Sequence, residues 1–280
     1  MSIDVSLERA KEQAVAGGVK PRRFGGWYVA EHRLMVMRSY LQTMIATGIG
    51  SPLLYLYALG VGLATIVDAS VGSEQAAVTY LVFVAPALLC SAALTTATEE
   101  FSYPIMLGFK WNPTFFGMNS APLTGQQIIN GVVYAVIIRM LGQSIVYYAF
   151  MLLFGAVPSP LGWLTIPVAT LTGMAVGTLI MAYATHLDED RGQFNYVMRF
   201  GVIPMTLFSG TFFPLETLPS FLQWIGWISP LWHGVELSRV FAYGLDEPGW
   251  LTAVHVIYLI ALTVIGWVVA QRLAVRRLNK

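Results

Sequence analysis

Residues 208–240 read FSGTFFPLETLPSFLQWIGWISPLWHGVELSRV. Phe and Trp crowd this stretch, yet Pro214, Pro219 and Pro230 interrupt it and Glu216, Glu236 and Arg239 charge it. As one helix it would run on the order of 50 Å, well beyond a hydrocarbon core of roughly 30 Å. Its prolines read better as punctuation. Thr217 precedes LPSFLQWIGW, and Ser229-Pro230 precedes LWHGVELSRV. Ser at an N-cap with Pro at the first helical position is a helix start. Two short helices of about ten residues are therefore expected, each about 15 Å long, half a bilayer. They would enter and leave by the same side, as a re-entrant hairpin over 214–243. Backbone that bends at membrane depth must be covered by protein or line a wet cavity. Trp224, Trp227 and Trp232 suit the membrane–water interface. A hairpin resting on the membrane surface is the other reading of the same residues.

The remainder of the chain sets this stretch in a membrane protein. Of 280 residues, 56% are hydrophobic and 11% charged, and the mean hydropathy is +0.64. Soluble domains carry about 25% charged residues. A net charge of +1 with no basic–aromatic motif points away from nucleic acid. The single cysteine, Cys90, lies inside an apolar run, so no disulfide framework is expected. The first 26 residues are polar and hold no apolar run of the kind a cleaved signal carries.

The fold class expected is an all-α membrane protein with six transmembrane helices, an N-terminal interface helix and the outer hairpin between helices five and six. Residues 1–23 read as a flexible cytoplasmic tail. Residues 24–40, FGGWYVAEHRLMVMRSY, place Trp27, Ala30, Leu34, Met37 and Leu41 along one side and Glu31 and Arg38 on another. That is an amphipathic helix lying in the interface. Six runs long enough to span follow, at about 41–66, 76–98, 135–156, 161–185, 196–213 and 250–271. The transmembrane domain is thus 24–272, followed by a short C-terminus at 273–280. Lys and Arg fix the orientation. Arg9, Lys11, Lys20, Arg22, Arg23, Arg33, Arg38, Lys110, Arg191, Arg199, Arg272, Arg276, Arg277 and Lys280 fall on one side if six spans are correct, and Arg239 alone on the other. Both termini are therefore expected in the cytoplasm. Arg139, near the start of the third span, is expected to snorkel to that interface.

The loop at 99–125, EEFSYPIMLGFKWNPTFFGMNSAPLTG, is too punctuated to span and too apolar for an idle linker. An apolar cytoplasmic loop invites a protein partner. At its end, Thr124-Gly-Gln-Gln127 has the form of a capping box and marks the start of the third helix.

Signatures of soluble catalysis are missing. There is no phosphate-binding G-x-x-x-x-G-K-[ST], no H-E-x-x-H and no G-x-S-x-G. His32, His186, His233 and His255 are scattered, and none pairs with Cys or lies four residues from another. Asp188, Glu189 and Asp190 are adjacent and do not converge on a helix or strand, which reads as a solvated turn. A magnesium–diphosphate site of the intramembrane prenyltransferase kind is the sharper reading, but it lacks a second acidic loop.

Taken together, the interface helix, six spans, long loop after the second span and hairpin before the last resemble the membrane subunit of type-2 ABC exporters. That family includes nodulation-factor, daunorubicin-type drug, teichoic-acid and O-antigen exporters. The residues carrying the resemblance are 208–239, with a Phe-Pro-x-x-x-x-Pro core, an aromatic run and an acidic exit, and APLTGQQI at 121–128. The likeness covers about 24–272 and leans to the nodulation and drug-exporter branch. It implies a non-catalytic subunit in a bacterial plasma membrane that pairs with an identical or sister membrane subunit. Two separate ATPase subunits would bind ATP and magnesium, leaving no cofactor or metal in this chain. It further implies that Tyr103, Ile105, Met106, Leu107, Phe109 and Trp111, with Trp27 and Arg33, contact the ATPase. Phe212, Phe213, Glu216, Trp224, Trp227, Trp232 and Glu236 would gate the outer exit.

Few ionisable groups lie in the spans, which argues against an ion-coupled relay. Gln42, Thr47, Gln143, Tyr147, Met198 and Met205 are the polar and soft groups placed to line a path. They suit an amphipathic, lipid-like, glycolipid or drug-like cargo entering from the bilayer, although ordinary helix packing accounts for each singly. A stand-alone carrier or channel and a prenyltransferase-like enzyme remain the alternatives at this level.

Overall fold

The computed structural model describes residues 2–46, 50–58, 62, 78–189 and 191–280. Its regular elements are helices. In chain order they are α1 (Ser2–Arg38), α2 (Leu41–Ile45), α3 (Ser51–Tyr57), α4 (Tyr80–Phe101), α5 (Tyr103–Met106), α6 (Thr114–Ser120), α7 (Gly125–Leu153), α8 (Thr165–His186), α9 (Gln193–Tyr196), α10 (Ile203–Phe208), α11 (Ser220–Ile228), α12 (Pro230–Tyr243) and α13 (Gly249–Leu278). Wider π-type turns at Leu107–Trp111 and Val197–Val202 extend α5 and join α9 to α10.

Among the described residues, four helical segments are long and apolar enough to cross a membrane: Tyr80–Trp111, Gly125–Leu153, Gly162–His186 and Gly249–Leu278. At their centre α8 packs against α4, α7, α12 and α13. Small residues allow the approach, as expected where helices cannot rely on water to drive them together. A Cβ on Gly173 of α8 would stand 2.7 Å from the carbonyl oxygen of Ala93 in α4. Most of α4 and α8 is consequently buried, whereas α7 and α13 are buried along one side and leave other apolar side chains exposed, Ile145, Leu152, Ile257 and Val264 among them.

Local signals set several boundaries. The Thr124 hydroxyl accepts from the Gln127 backbone N–H, and the Gln127 side chain accepts from the Thr124 N–H, so the capping box starts α7 as its sequence predicts. Ser229 and Pro230 likewise open α12. Thr217 does not open α11. Its hydroxyl turns back to the Pro214 carbonyl, and the helix starts at Ser220 behind Pro219. The fifth run stops at Phe208 instead of 213, because Gly210 adopts φ +71°, a left-handed conformation that ends a helix. Residues 2–23, expected as a tail, are helical, and 6–17 are exposed; their Ala, Glu, Lys and Arg content favours helix. A single non-helical residue, Phe24, breaks α1 where the interface helix was expected to begin.

If the α4–α8 approach sets the core, Gly173→Ala should destabilise the detergent-solubilised chain by about 1–3 kcal/mol. Gly142→Ala, where an added Cβ meets nothing within 4 Å, should change stability by less than about 0.5 kcal/mol. Denaturant titration of both variants checks the contrast.

Candidate functional site

Residues 101–120, 186–189 and the C-terminal end of α13 gather at one end of the bundle. There the chain leaves α4, turns sharply at Ser102 (φ −96°, ψ −95°) and runs through α5 and the π-type turn to Trp111. The predicted contact residues of this excursion divide into two sets. Ile105, Met106 and Phe109 are buried, while Tyr103, Leu107 and Trp111 are 42%, 45% and 52% exposed. Phe109 meets Phe115 edge-on at 4.9 Å, and the Arg277 guanidinium lies 4.6 Å from its ring centre. Arg277 also donates to the carbonyls of Thr185 and Leu187 at 2.9 and 2.6 Å. The excursion is thereby fixed to α8 and α13 beneath an exposed aromatic surface, where Tyr103 and Trp111 stack at 6.1 Å. Lys110 reaches Glu189 at 3.3 Å, and its hydrogen bond holds that exposed carboxyl below the usual carboxylate range. Asp190 lies outside the described residues, and among those described no cluster of three His, Cys, Asp or Glu forms a metal site.

Alongside, α1 packs on α7 through Val29, Ala30 and Met37, leaving Trp27 55% exposed. Arg33 turns inward. Its Nη2 lies 3.2 Å from Oε2 of Glu100, whose other oxygen pairs with Arg139. One nearly buried carboxylate at the end of α4 thus joins α1 to α7. Sequence reading placed Arg139 at the interface but gave it no partner. The usable signal was an acid at the end of one span facing a base near the start of the next.

Arg139 and Gln143 line a cavity of about 520 Å³ that also has Tyr55 of α3, Thr95 and Thr96 of α4, Tyr147 of α7 and Thr206 of α10 in its wall. The Thr96 hydroxyl donates to Gln143 Oε1 at 2.8 Å. Of the predicted path residues, Gln143 and Tyr147 meet here. Met198 and Met205 pack half-buried against the core, Gln42 is exposed on α2, and Thr47 lies outside the described residues. Arg139 and Gln143 also border a second cavity of about 320 Å³ shared with Met37, Arg38 and Met44.

The opposite end carries the hairpin. Phe212 borders the larger cavity, Phe213, Glu216, Trp224 and Trp227 are exposed, and Trp232 is half-buried. Glu236 does not reach out to water. It binds Arg239 at 2.7 Å, and Arg239, only 1% exposed, also donates to the carbonyls of Gly210 (2.7 Å) and Phe83 (3.3 Å). Its guanidinium sits 3.6 Å from the Phe83 ring centre. The Tyr80 hydroxyl donates to the Phe212 carbonyl at 3.2 Å, and Ser209 and Ser229 share a hydrogen bond of 2.5 Å. Together these hold the crossing at 209–213 against α4 and α12. The histidines, scattered in sequence, also converge here: His233 and His255 meet across α12 and α13.

This arrangement belongs to a known class of membrane protein. A family model described as ABC-2 type transporter matches residues 31–243. The chain belongs to the ABC-2 type transporter family, and homologous proteins cover nearly its whole length. It is 29% identical over 245 residues to Nodulation protein J of Rhizobium leguminosarum bv. viciae, covering 84% of this chain and 88% of that protein. It is 26% identical to Nodulation protein J of Bradyrhizobium diazoefficiens, with 93% and 97% covered. Against the inner membrane transport permease YadH of Escherichia coli strain K12 the identity is 25%, with 88% and 93% covered.

Glu100→Gln leaves Arg33 and Arg139 without their shared counter-charge. The solubilised chain should lose roughly 3 kcal/mol of stability, as when one partner is removed from a buried pair. Arg33→Met combined with Glu100→Gln should lose less than the two single losses added, a coupling that a double-mutant cycle measures.

Proposed function

We infer that this chain is the permease subunit of an ATP-driven exporter in a bacterial plasma membrane. It pairs with an identical or sister membrane subunit above two ABC ATPase subunits. ATP and magnesium bind on the ATPases, and this chain supplies no catalytic group. The observation that carries the reading is the excursion after α4, with Ile105, Met106 and Phe109 anchored in the core and Tyr103, Leu107 and Trp111 presented outward. A rigid element of this kind transmits a push from below, since packed cores shift between discrete arrangements and do not deform smoothly. Its end of the bundle also carries Lys110, Arg191, Arg276 and Arg277, the cytoplasmic signature. Both termini then lie in the cytoplasm. On this reading the chain crosses six times, the two crossings beyond the four long segments being the run 41–66, part of which lies outside the described residues, and the broken helix α9–α10.

On this reading the path follows the larger cavity along Gln143, Tyr147 and Thr96, and the cargo is amphipathic, lipid-like, glycolipid or drug-like. Apolar side chains with a few hydroxyls and amides suit such a molecule better than an ion. The hairpin α11–α12 enters from the outer side without crossing. Phe212 would close the outer end of the cavity until the ATPases reshape the dimer. The membrane lipids are neighbours of the outward faces of α7 and α13. The ABC-2 type transporter family match and the transport permease among the aligned relatives support the reading.

Purification from native membranes in mild detergent should bring down a soluble ATPase, and Leu107→Asp with Trp111→Asp should abolish that without unfolding the chain. Recovery of the intact chain with no ATPase would overturn the reading. Transport that runs on an ion gradient after ATP depletion would identify a stand-alone carrier. For the topology, cysteines at Trp224 or Trp227 should react with an impermeant thiol reagent only from outside the cell; labelling from the cytoplasm would sink the outer hairpin.

A further inference from the structure

Two histidines that the exporter reading does not use meet at the root of the hairpin. His233 of α12 is 6% exposed and His255 of α13 is fully buried. Their Nδ1 atoms face each other at 2.6 Å. His233 Nε2 lies 3.0 Å from the carbonyl oxygen of Trp227. His255 Nε2 is buried without a hydrogen-bond partner, 3.3 Å from Oε1 of Glu247 in the turn before α13. The Thr252 hydroxyl donates to that same oxygen at 3.2 Å. Tyr258 packs on His233 at 4.2 Å, but its hydroxyl donates to the Ile228 carbonyl at 2.6 Å and so is not available to the rings.

Counting hydrogens along this chain gives one definite answer. A carbonyl only accepts, so His233 Nε2 carries a hydrogen. A neutral imidazole has one N–H, so His233 Nδ1 is a lone pair and His255 Nδ1 donates to it. In a neutral ring His255 Nε2 is then bare, and it faces a carboxylate oxygen that also only accepts. The chain closes when one more proton lies between Glu247 and His255.

We propose that Glu247, His255 and His233 form a binding site for a single proton, and that this proton ties the hairpin to the start of α13. With it in place, every hydrogen bond points one way, from Glu247 through both rings to the Trp227 carbonyl. Without it, two acceptors oppose each other in a buried site, and with a second proton the two rings present N–H groups to each other. Burial pushes the Glu247 carboxyl up, against the hydrogen bond from Thr252. Of the other charged groups, Glu236 and Arg239 of α12 pair with one another, Glu216 with Glu247 acts electrostatically on Glu236, Asp246 beside Glu247 is exposed, and Arg272, Arg276 and Arg277 lie at the far end of α13. Tyr80 of α4 and Tyr243 of α12 lie in the field of Arg239.

The sign of the pH effect follows from the proton count. The folded cluster holds one proton. Unfolded, the glutamate is ionised above about pH 4.3 and each histidine binds a proton only below about pH 6.5. On the alkaline side the folded chain holds more, so stability falls as pH rises through the loss of that proton. On the acid side the unfolded chain holds two against one, so stability falls again as pH drops below about 6. The cluster's contribution is therefore bell-shaped.

The test is denaturant titration of the full-length chain in detergent, from about pH 5 upward into the alkaline range. For wild type the folding constant should fall by up to tenfold per pH unit on the alkaline limb, the slope of one proton. Glu247→Gln should remove that limb and keep the acid one, because an amide N–H donates to His255 Nε2 without titrating. Parallel curves for the two proteins would overturn the proposal. Should the variant not fold, the wild type alone decides through ¹⁵N NMR of its labelled histidine rings. A His255 Nε2 resonance that shifts as the one proton leaves on the alkaline limb supports the site; a His255 ring unchanged across that range overturns it. This site stands whether or not the chain is an exporter.

Discussion

A guanidinium group enclosed by apolar helices has to find acceptors within reach or force the structure open. Arg239 finds three and a ring: the carbonyls of Gly210 and Phe83, the carboxylate of Glu236 and the face of Phe83. The first two belong to backbone that no regular element satisfies or to the helix it must be joined to. Residues 209–213 have left α10 and have not begun α11, so their carbonyls need partners from outside a helix. Seating α12 on α4 through this one side chain answers that need. It also places Phe212 at the cavity and brings α12 close enough to α13 for the histidine rings to meet.

The other end of the bundle solves a different problem. A loop that must be both firm and exposed alternates its side chains, sinking Ile105, Met106 and Phe109 while holding Tyr103, Leu107 and Trp111 out. Arg277 secures it from behind by gripping the last carbonyls of α8 and covering the Phe109 ring. The excursion is thus continuous with the two helices that run the depth of the protein.

What could be read from the sequence was local. Thr124 with Gln127 and Ser229 with Pro230 declare helix starts within four residues, so no distant partner was needed. Thr217 misled because its hydroxyl had a closer acceptor behind it, at Pro214. The excursion was legible as an apolar loop in the wrong place, but its division into buried and exposed sides was not, since that depends on Phe115 and Arg277 arriving from elsewhere. The same holds for charge. Beyond Glu236 one turn away, Arg239 finds its carbonyl acceptors 156 and 29 residues off, Arg139 finds its carboxylate 39 residues away, and His233 meets His255 across a turn between two helices. Each was conspicuous as a polar residue among apolar ones, and none carried its partner's address.

Glu100 is a carboxylate held by two hands, Arg33 from α1 and Arg139 from α7. The two grips compete for one charge. A tilt of α1 about its break at Phe24 that drew Arg33 away would leave Glu100 wholly to Arg139, and Arg139 forms part of the wall between the two cavities. The wall between the cavities therefore leans on the helix beside the bundle twice over, by the direct packing of Ala30 and Met37 and by the one charge that Arg33 and Arg139 share.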